Sequence, residues 1–269
     1  MNPLPPDLAA ALHRAGERTA PFGTVVHYFQ ETASTNEVAG ALAERGAPEG
    51  TLVIAGAQTA GRGRLGRGWY SPADAGLYAS VICRNRAAAP LLTLAGGVAV
   101  AGGVRAATGL PVEIKWPNDI VVPSGRASPR WRKLAGILAE ASSGADGLQH
   151  VVLGFGINLR PAAYPPAIAD RTTSLETELG RAVEPGPVLA EVLAAFAEAF
   201  RDLAAGQRQG LLDRWRALAP SATGSRITWE TDEGRGEGTT CGIADDGALL
   251  VRTARGTSRI ISGEITWRL

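Results

Sequence analysis

Between residues 188 and 218, Leu189, Val192, Leu193, Phe196, Phe200 and Leu203 recur three and four positions apart, the period of a helix that buries one face. On either side the period shortens. Upstream stand short apolar and β-branched runs set off by Gly, Pro and Asp clusters. Downstream of Pro220 come SRITWE, TTCGIA, ALLVRT and SRIISGEITW, with tight turns such as DDG between them. The upstream pattern calls for helices packed on a sheet. The downstream one, about 50 residues long, makes a small antiparallel barrel near the lower limit of what folds alone. The sequence therefore predicts an α+β chain in two units, residues 1–220 and 221–269, divided at Pro220.

Within the first unit the elements follow from pattern and punctuation. A short amphipathic helix carries Leu8, Leu12 and Ala15 on one face, and a strand follows over residues 24–30. Ser34 or Thr35 then caps a helix over about ten residues. TLVIAGAQ reads as a buried strand that delivers the chain into AGRGRLGRGWYSP, too rich in glycine to be regular structure. LYASVICR is a strand, and LLTLAGGVAVAGGVRAATG a helix whose small residues suit close packing. VEIKWPNDIVV reads as two short strands about a proline turn. KLAGILAEAS and HVVLGFGINL form a hairpin through SGADG, and RPAAYPPAIADRTTS, with three prolines, is a loop.

Composition narrows the function classes. With 45% hydrophobic and 20% charged residues the chain is ordinary globular material, and its net charge of +1 supplies no overall field toward nucleic acid or membrane. Two distant cysteines, Cys83 and Cys241, make neither a disulfide framework nor a zinc site. Pro and Asp precede the first apolar run, unlike a secretory signal, and no uncharged apolar run approaches a membrane span. A cytoplasmic protein is expected.

Of the 27 basic residues only Lys115 and Lys133 are lysine, and both lie in dense motifs, KWPNDI and KLAGIL. A compact ammonium does what a planar guanidinium cannot. GRGRLGR, at residues 61–67, sets Arg62, Arg64 and Arg67 among glycines that let backbone amides approach a phosphate or carboxylate; a mobile surface loop or a nucleic-acid contact are the alternatives. In KWPNDI, Asn118 and Asp119 can hold magnesium on a nucleotide with Lys115 toward its phosphates, or Asp119 can cap a turn. Lys133 opens an apolar strand, where its charge can polarise a carboxylate or steady a bridging phosphate oxygen; a Schiff base is the other chemistry open to it, without any accompanying pyridoxal phosphate site. His13, His27 and His150 are isolated, and neither a Walker loop nor a complete dinucleotide fingerprint is present.

Taken in order, Ser34-Thr35-Asn36, Gln58 with GRGRLGR, KWPND, KLAGIL and GFGINL resemble the motifs of biotin protein ligases of the biotin–[acetyl-CoA-carboxylase] ligase type. GIADDGALLV and GEI resemble that family's terminal barrel. The resemblance runs from about Thr32 to the end. It implies a mixed central sheet flanked by helices, of the class II aminoacyl-tRNA synthetase and biotin ligase kind, with a C-terminal SH3-like β-barrel. It also implies an activity in two halves. Biotin and MgATP form biotinoyl-5′-AMP, and a lysine of a biotin carboxyl carrier protein or domain then takes the biotin.

By that resemblance Ser34, Thr35, Asn36 and Gln58 surround the biotin head, with Gly61, Arg62, Gly63 and Arg64 closing over it and Gly136, Gly154 and Gly156 beside it. Lys133 contacts both the biotin carboxylate and the activated phosphate, and Lys133, Arg64 and Lys115 are the catalytic cations. Arg62, Arg64, Arg67, Trp69, Lys115, Asn118, Asp119, Lys133 and Asn158 serve ATP and the adenylate, and Asp119 serves Mg2+ through the nucleotide. With 33 residues before Ser34, too few for a DNA-binding domain, a monofunctional ligase is expected that engages neither DNA nor membrane. Many members of the family dimerise through the central sheet, so a homodimer is among the implied partners. Two departures stand out: IVVPSGRASPRWR, between Asp119 and Lys133, is longer than usual, and Phe155 is bulky between Gly154 and Gly156. A lipoate or octanoate ligase and a non-catalytic binding protein for RNA or a partner are the competing readings.

Overall fold

The computed structural model describes residues 1–123, 131–231 and 234–267. In chain order the elements are α1 (Pro6–Ala15), β1 (Val26–Phe29), α2 (Thr35–Glu44), β2 (Leu52–Ala55), β3 (Gly76–Cys83), α3 (Leu92–Thr108), β4 (Glu113–Lys115), β5 (Asp119–Pro123), β6 (Trp131–Gly144) and β7 (Gly147–Asn158). Then come α4 (Pro166–Ala169), α5 (Leu175–Leu179), α6 (Pro185–Ala204), α7 (Arg208–Leu218), β8 (Thr223–Thr231), β9 (Gly234–Ile243), β10 (Leu249–Thr253), β11 (Gly256–Ile260) and β12 (Glu264–Trp267).

Seven strands make the central sheet, in the order β1-β2-β3-β7-β6-β5-β4. The pair β1–β2 is parallel and the other pairs are antiparallel, so the sheet is mixed. β7 sits at its centre and is buried from His150 to Asn158, which explains the apolar run HVVLGFGINL. The hairpin closes at Gly147, whose φ of 91° lies in the left-handed region that glycine enters without strain.

Helices α3 and α6 stack on one face of this sheet, and their contact explains the glycines of LLTLAGGVAVAGGVRAATG. A Cβ on Gly103 would lie 2.5 Å from the Val192 backbone nitrogen, so only glycine permits this approach. Phe22 fills the far end against Phe196 and Phe200, with ring centroids 4.7 and 5.1 Å away. By length and hydropathy alone the segment Ala89–Thr108 is long and apolar enough to cross a membrane, yet two thirds of its apolar window is buried in this core, which accounts for its apolar content.

Two further expectations are corrected in detail. The helical stretch is two helices, because Gly206 takes a φ of 78° and breaks the run between α6 and α7. The proline-rich loop holds the short helix α4 and then pairs with β6 through an isolated parallel bridge, Lys133 to Thr172. The insertion noted between Asp119 and Lys133 falls largely on residues 124–130, outside the described residues.

The last five strands form a second, antiparallel sheet in the order β11-β10-β9-β8-β12, as expected of the small SH3-like barrel. Its DDG turn meets the first sheet at KWPND: the Trp116 indole N–H donates to the Gly247 carbonyl at 3.0 Å.

Candidate active site

A cavity of about 700 Å³ opens between the two sheets. Its back wall is β6 and β7, its sides are the start of α2 and the β4–β5 turn, and its front is closed by the glycine loop, the proline-rich segment and β12. The motifs converge here from widely separated stretches of chain.

At one end sits a hydrogen-bonding network. Ser34 takes the N-cap position of α2 in extended geometry, with no side-chain cap bond, so its hydroxyl is not used to start the helix. Gln58 Oε1 accepts from the Thr35 backbone N–H at 2.8 Å, and Gln58 Nε2 donates to Ser71 Oγ at 2.8 Å. Ser80 Oγ lies 2.7 Å from Thr35 Oγ1 and 2.6 Å from Asn36 Oδ1. Asn36 Nδ2 donates to Glu140 Oε2 at 2.7 Å, and Glu140 also pairs with Arg62 at 3.1 Å. Ser34, Thr35, Asn36 and Ser80 are all buried.

The glycines of GFGINL make room for this arrangement. A Cβ on Gly154 would lie 2.0 Å from Asn36 Oδ1, and one on Gly156 would lie 2.2 Å from Trp69 Nε1. Gly136 packs against the same indole, at 3.1 Å from a hypothetical Cβ. Both glycine positions therefore line the cavity with a side chain from another motif set directly against them. Gly61 stands apart from the other expected residues. It lies behind the main cavity, where its carbonyl accepts from the Trp69 N–H at 2.8 Å and where a Cβ would strike the Trp69 carbonyl at 2.4 Å.

At the other end the cations gather. Lys133 Nζ is 2.6 Å from Asp119 Oδ1 and lies over the Trp69 ring, 5.1 Å from its centroid. Lys115, two residues before the Pro117 turn, is half-buried; burial lowers its pKa most, Asp119 opposes that shift and Lys133 adds to it. Burial also lowers the pKa of Arg64, against the pull of Asp119. Asn118 is fixed to β6 in both directions, its Nδ2 donating to the Ile137 carbonyl at 2.7 Å and its own carbonyl accepting from the Ile137 N–H at 2.9 Å. Asn158 Nδ2 donates to the Thr173 carbonyl at 2.9 Å and so holds the proline-rich segment to β7.

GRGRLGR itself is a tight hairpin. The Gly63 N–H donates to the Arg67 carbonyl at 2.7 Å, and Leu65, at its tip, has a φ of 56° and is 66% exposed. Arg67 reaches across to Glu264 of β12; that hydrogen bond raises the arginine pKa and is the largest influence lowering the carboxyl pKa.

Sequence reading missed Ser80, Glu140, Glu264 and the cavity-lining Tyr164 and Arg171. A signal existed for two of them. Ser80 is the one serine in the buried middle of LYASVICR, and Glu140 is the one charge between Leu134 and Ser142, so each is a polar group that a strand would not carry without a partner. Among the described residues no cluster of three His, Cys, Asp or Glu could hold a metal.

The chain belongs to the biotin/lipoate A/B protein ligase family, whose pattern matches residues 27–158, and the biotin protein ligase C-terminal domain matches residues 223–267. It is 34% identical to the bifunctional ligase/repressor BirA of Bacillus subtilis over 97% of this chain and 79% of that protein. It is 33% identical to the biotin–[acetyl-CoA-carboxylase] ligase of Paracoccus denitrificans, over 87% of this chain and 97% of that one. The structure of the biotin protein ligase from Aquifex aeolicus in complex with biotin and ATP aligns with a TM-score of 0.78 at 28% identity, covering 91% of this chain and 99% of that one.

Proposed function

We propose that the cavity of this ATP-dependent biotin protein ligase divides its work between its two ends. The ureido head of biotin lies at the Thr35–Asn36–Gln58 end, where neutral hydrogen-bonding groups line the cavity. ATP lies at the Lys115–Asp119 end, and Lys133 stands between them. The observation that carries this reading is the convergence on one cavity of five motifs, from Ser34 to Asn158, with Thr35, Asn36 and Gln58 joined in one hydrogen-bonding network and Lys133 set against Asp119.

In the first half-reaction a biotin carboxylate oxygen attacks the α-phosphorus, the bond to the bridging oxygen breaks, and pyrophosphate leaves. Lys133 and Arg64 hold the carboxylate and α-phosphate together and neutralise the charge that develops, and Lys115 and Arg67 receive the β- and γ-phosphates. For Arg67 this means leaving Glu264, so nucleotide binding exchanges one carboxylate for phosphate. In the second half-reaction the neutral amine of an acceptor lysine attacks the acyl carbon, the acyl–oxygen bond breaks, and AMP leaves with loss of one proton from the new amide nitrogen. The acceptor is a lysine of a biotin carboxyl carrier protein or domain.

Among the described residues Asp119 and Glu264 are the carboxylates of the cationic end, and both are already paired, with Lys133 and Arg67. Such a donor set fits Mg2+ only as an ion carried on the nucleotide, since magnesium binds through one or two carboxylates together with phosphate oxygens and water. There it would neutralise phosphate charge. The free thiols Cys83 and Cys241 fit a reducing, cytoplasmic setting. We take residues 1–220 as the catalytic unit and residues 221–269 as a second unit that completes the cavity wall; the separate sheet and the contribution of Glu264 and Trp267 support this.

Incubation with ATP, a carrier domain and labelled biotin or labelled lipoate tests the assignment. Label is expected on the carrier lysine from biotin alone. Transfer of lipoate at a comparable rate would overturn the biotin-specific reading in favour of the lipoate branch.

A further inference from the structure

We propose that Glu140 is a positioning residue that sets the hydrogen-bond polarity of the biotin-reading end of the cavity; the inference rests on the assignment of that end to the ureido head. The argument is one of proton accounting. Ser80, fully buried on β3, has one hydroxyl proton and faces two oxygens, Thr35 Oγ1 at 2.7 Å and Asn36 Oδ1 at 2.6 Å. An asparagine amide can turn either its oxygen or its nitrogen toward such a neighbour. Here the choice is forced from the other side. Glu140 Oε2 lies 2.7 Å from Asn36 Nδ2, and a carboxylate oxygen only accepts. The amide nitrogen must therefore face Glu140 and the amide oxygen Ser80.

The consequence runs along the network to the cavity wall. Ser80 gives its one proton to Asn36, so the Thr35 hydroxyl keeps its own proton for Ser80 or for Gln58, 3.1 Å away. Thr35 Oγ1 then retains an accepting lone pair, which is what a ureido N–H needs. With Glu140 removed, only the long contact to the Leu138 carbonyl, at 3.5 Å, still holds the amide nitrogen, and the amide of Asn36 can turn over. Ser80 would then face an amide N–H and donate to Thr35 instead, taking one of the two lone pairs of Thr35 Oγ1 and leaving a single, differently directed acceptor for the ureido N–H.

The second arm of Glu140, to Arg62 at 3.1 Å, cannot account for a role of this kind. Arg62 is more than half exposed, and pairs of that sort contribute little. Asn36 is 6% exposed, so a partner lost by its amide is costly. Gly154 completes the device: with its missing side chain it leaves room for the Asn36 amide and nothing larger.

The test is calorimetric titration of biotin and, separately, of ATP into the full-length protein and its Glu140→Ala, Ser80→Ala and double variants. Glu140→Ala is expected to weaken biotin about tenfold, the cost of an unpaired buried amide, while leaving ATP affinity unchanged. In the Ser80→Ala background the same change is expected to cost little more, because both act through one amide. Unchanged biotin affinity in Glu140→Ala, equal loss for biotin and ATP, or full additivity of the two single variants would each overturn the proposal. Should Glu140→Ala not fold, Glu140→Gln fills the same space and is expected to weaken biotin selectively, since a neutral amide lets Asn36 turn; wild-type affinity there would also overturn it. Failure of the wild-type protein to bind biotin at all would refute the functional assignment itself, and is seen in the first titration, before any variant is made.

Discussion

Replacing Gly154 by alanine puts a methyl group where the Asn36 amide now sits. The new Cβ would lie 2.0 Å from Oδ1 and 2.9 Å from Cγ, so the amide must retreat by about 1 Å or more in an interior packed without slack. The helix carrying it cannot yield, since Ala39 and Ala43 of α2 are wedged against Val53, Ile82 and Val152. The side chain therefore moves alone and gives up the Ser80 contact at 2.6 Å and the Glu140 contact at 2.7 Å. Two hydrogen bonds of about 1 kcal/mol each, with a further penalty of about 1–2 kcal/mol for buried groups left unpaired, sum to about 3–4 kcal/mol, or roughly 150- to 1,000-fold in biotin affinity. Titration calorimetry with biotin and with ATP reads this directly, with circular dichroism to verify the fold. A Gly154→Ala protein that binds biotin within threefold of wild type would refute the reasoning, because Asn36 would then have been free to move without loss.

Three other outcomes follow from the cationic end. Lys133→Arg cannot keep a point charge both against Asp119 and over Trp69, and pyrophosphate release is expected to fall by about 10²–10³-fold, as when one preorganised donor is lost; a near-normal rate contradicts the role. Arg64→Gly removes a closing side chain from the loop, so free biotinoyl-AMP should accumulate in solution, and chromatography that finds none removes the loop as a lid. For Lys115 the ammonium is present below its pKa and lost above it, and burial sets that pKa below the ordinary 10.5. Then kcat/KM for ATP should decline as pH rises toward 10.5 while biotin affinity holds, and Lys115→Arg, charged throughout, should abolish the decline. An identical alkaline limb in the arginine variant would assign it to another group.

What the sequence made legible, and what it hid, divides by distance along the chain. The strands of the central sheet, the α3 glycines and the terminal antiparallel unit rest on local periodicity and turn chemistry, and they fold as expected, except that SRIISGEITW, read as one run, is the two strands β11 and β12. The motif residues also converge, because each belongs to a short string with recognisable content. Contacts between strings were invisible: Ser80 meets Asn36 across 44 positions, Asn36 meets Glu140 across 104, and Arg67 meets Glu264 across 197. Nothing in the string GFGINL says that its first glycine leaves space for Asn36 and its second for Trp69, because that meaning lies in the facing side chain. The break between α6 and α7 was written in Gly206, which an apolar stripe continuing past it concealed.

ATP–pyrophosphate exchange measured with and without biotin tests the central claim most directly, since it needs only the first half-reaction and no acceptor. Exchange is expected to require biotin and to be nearly lost in Lys133→Arg. Exchange that proceeds equally without biotin, or none at all from folded protein supplied with biotin, ATP and magnesium, would contradict the account.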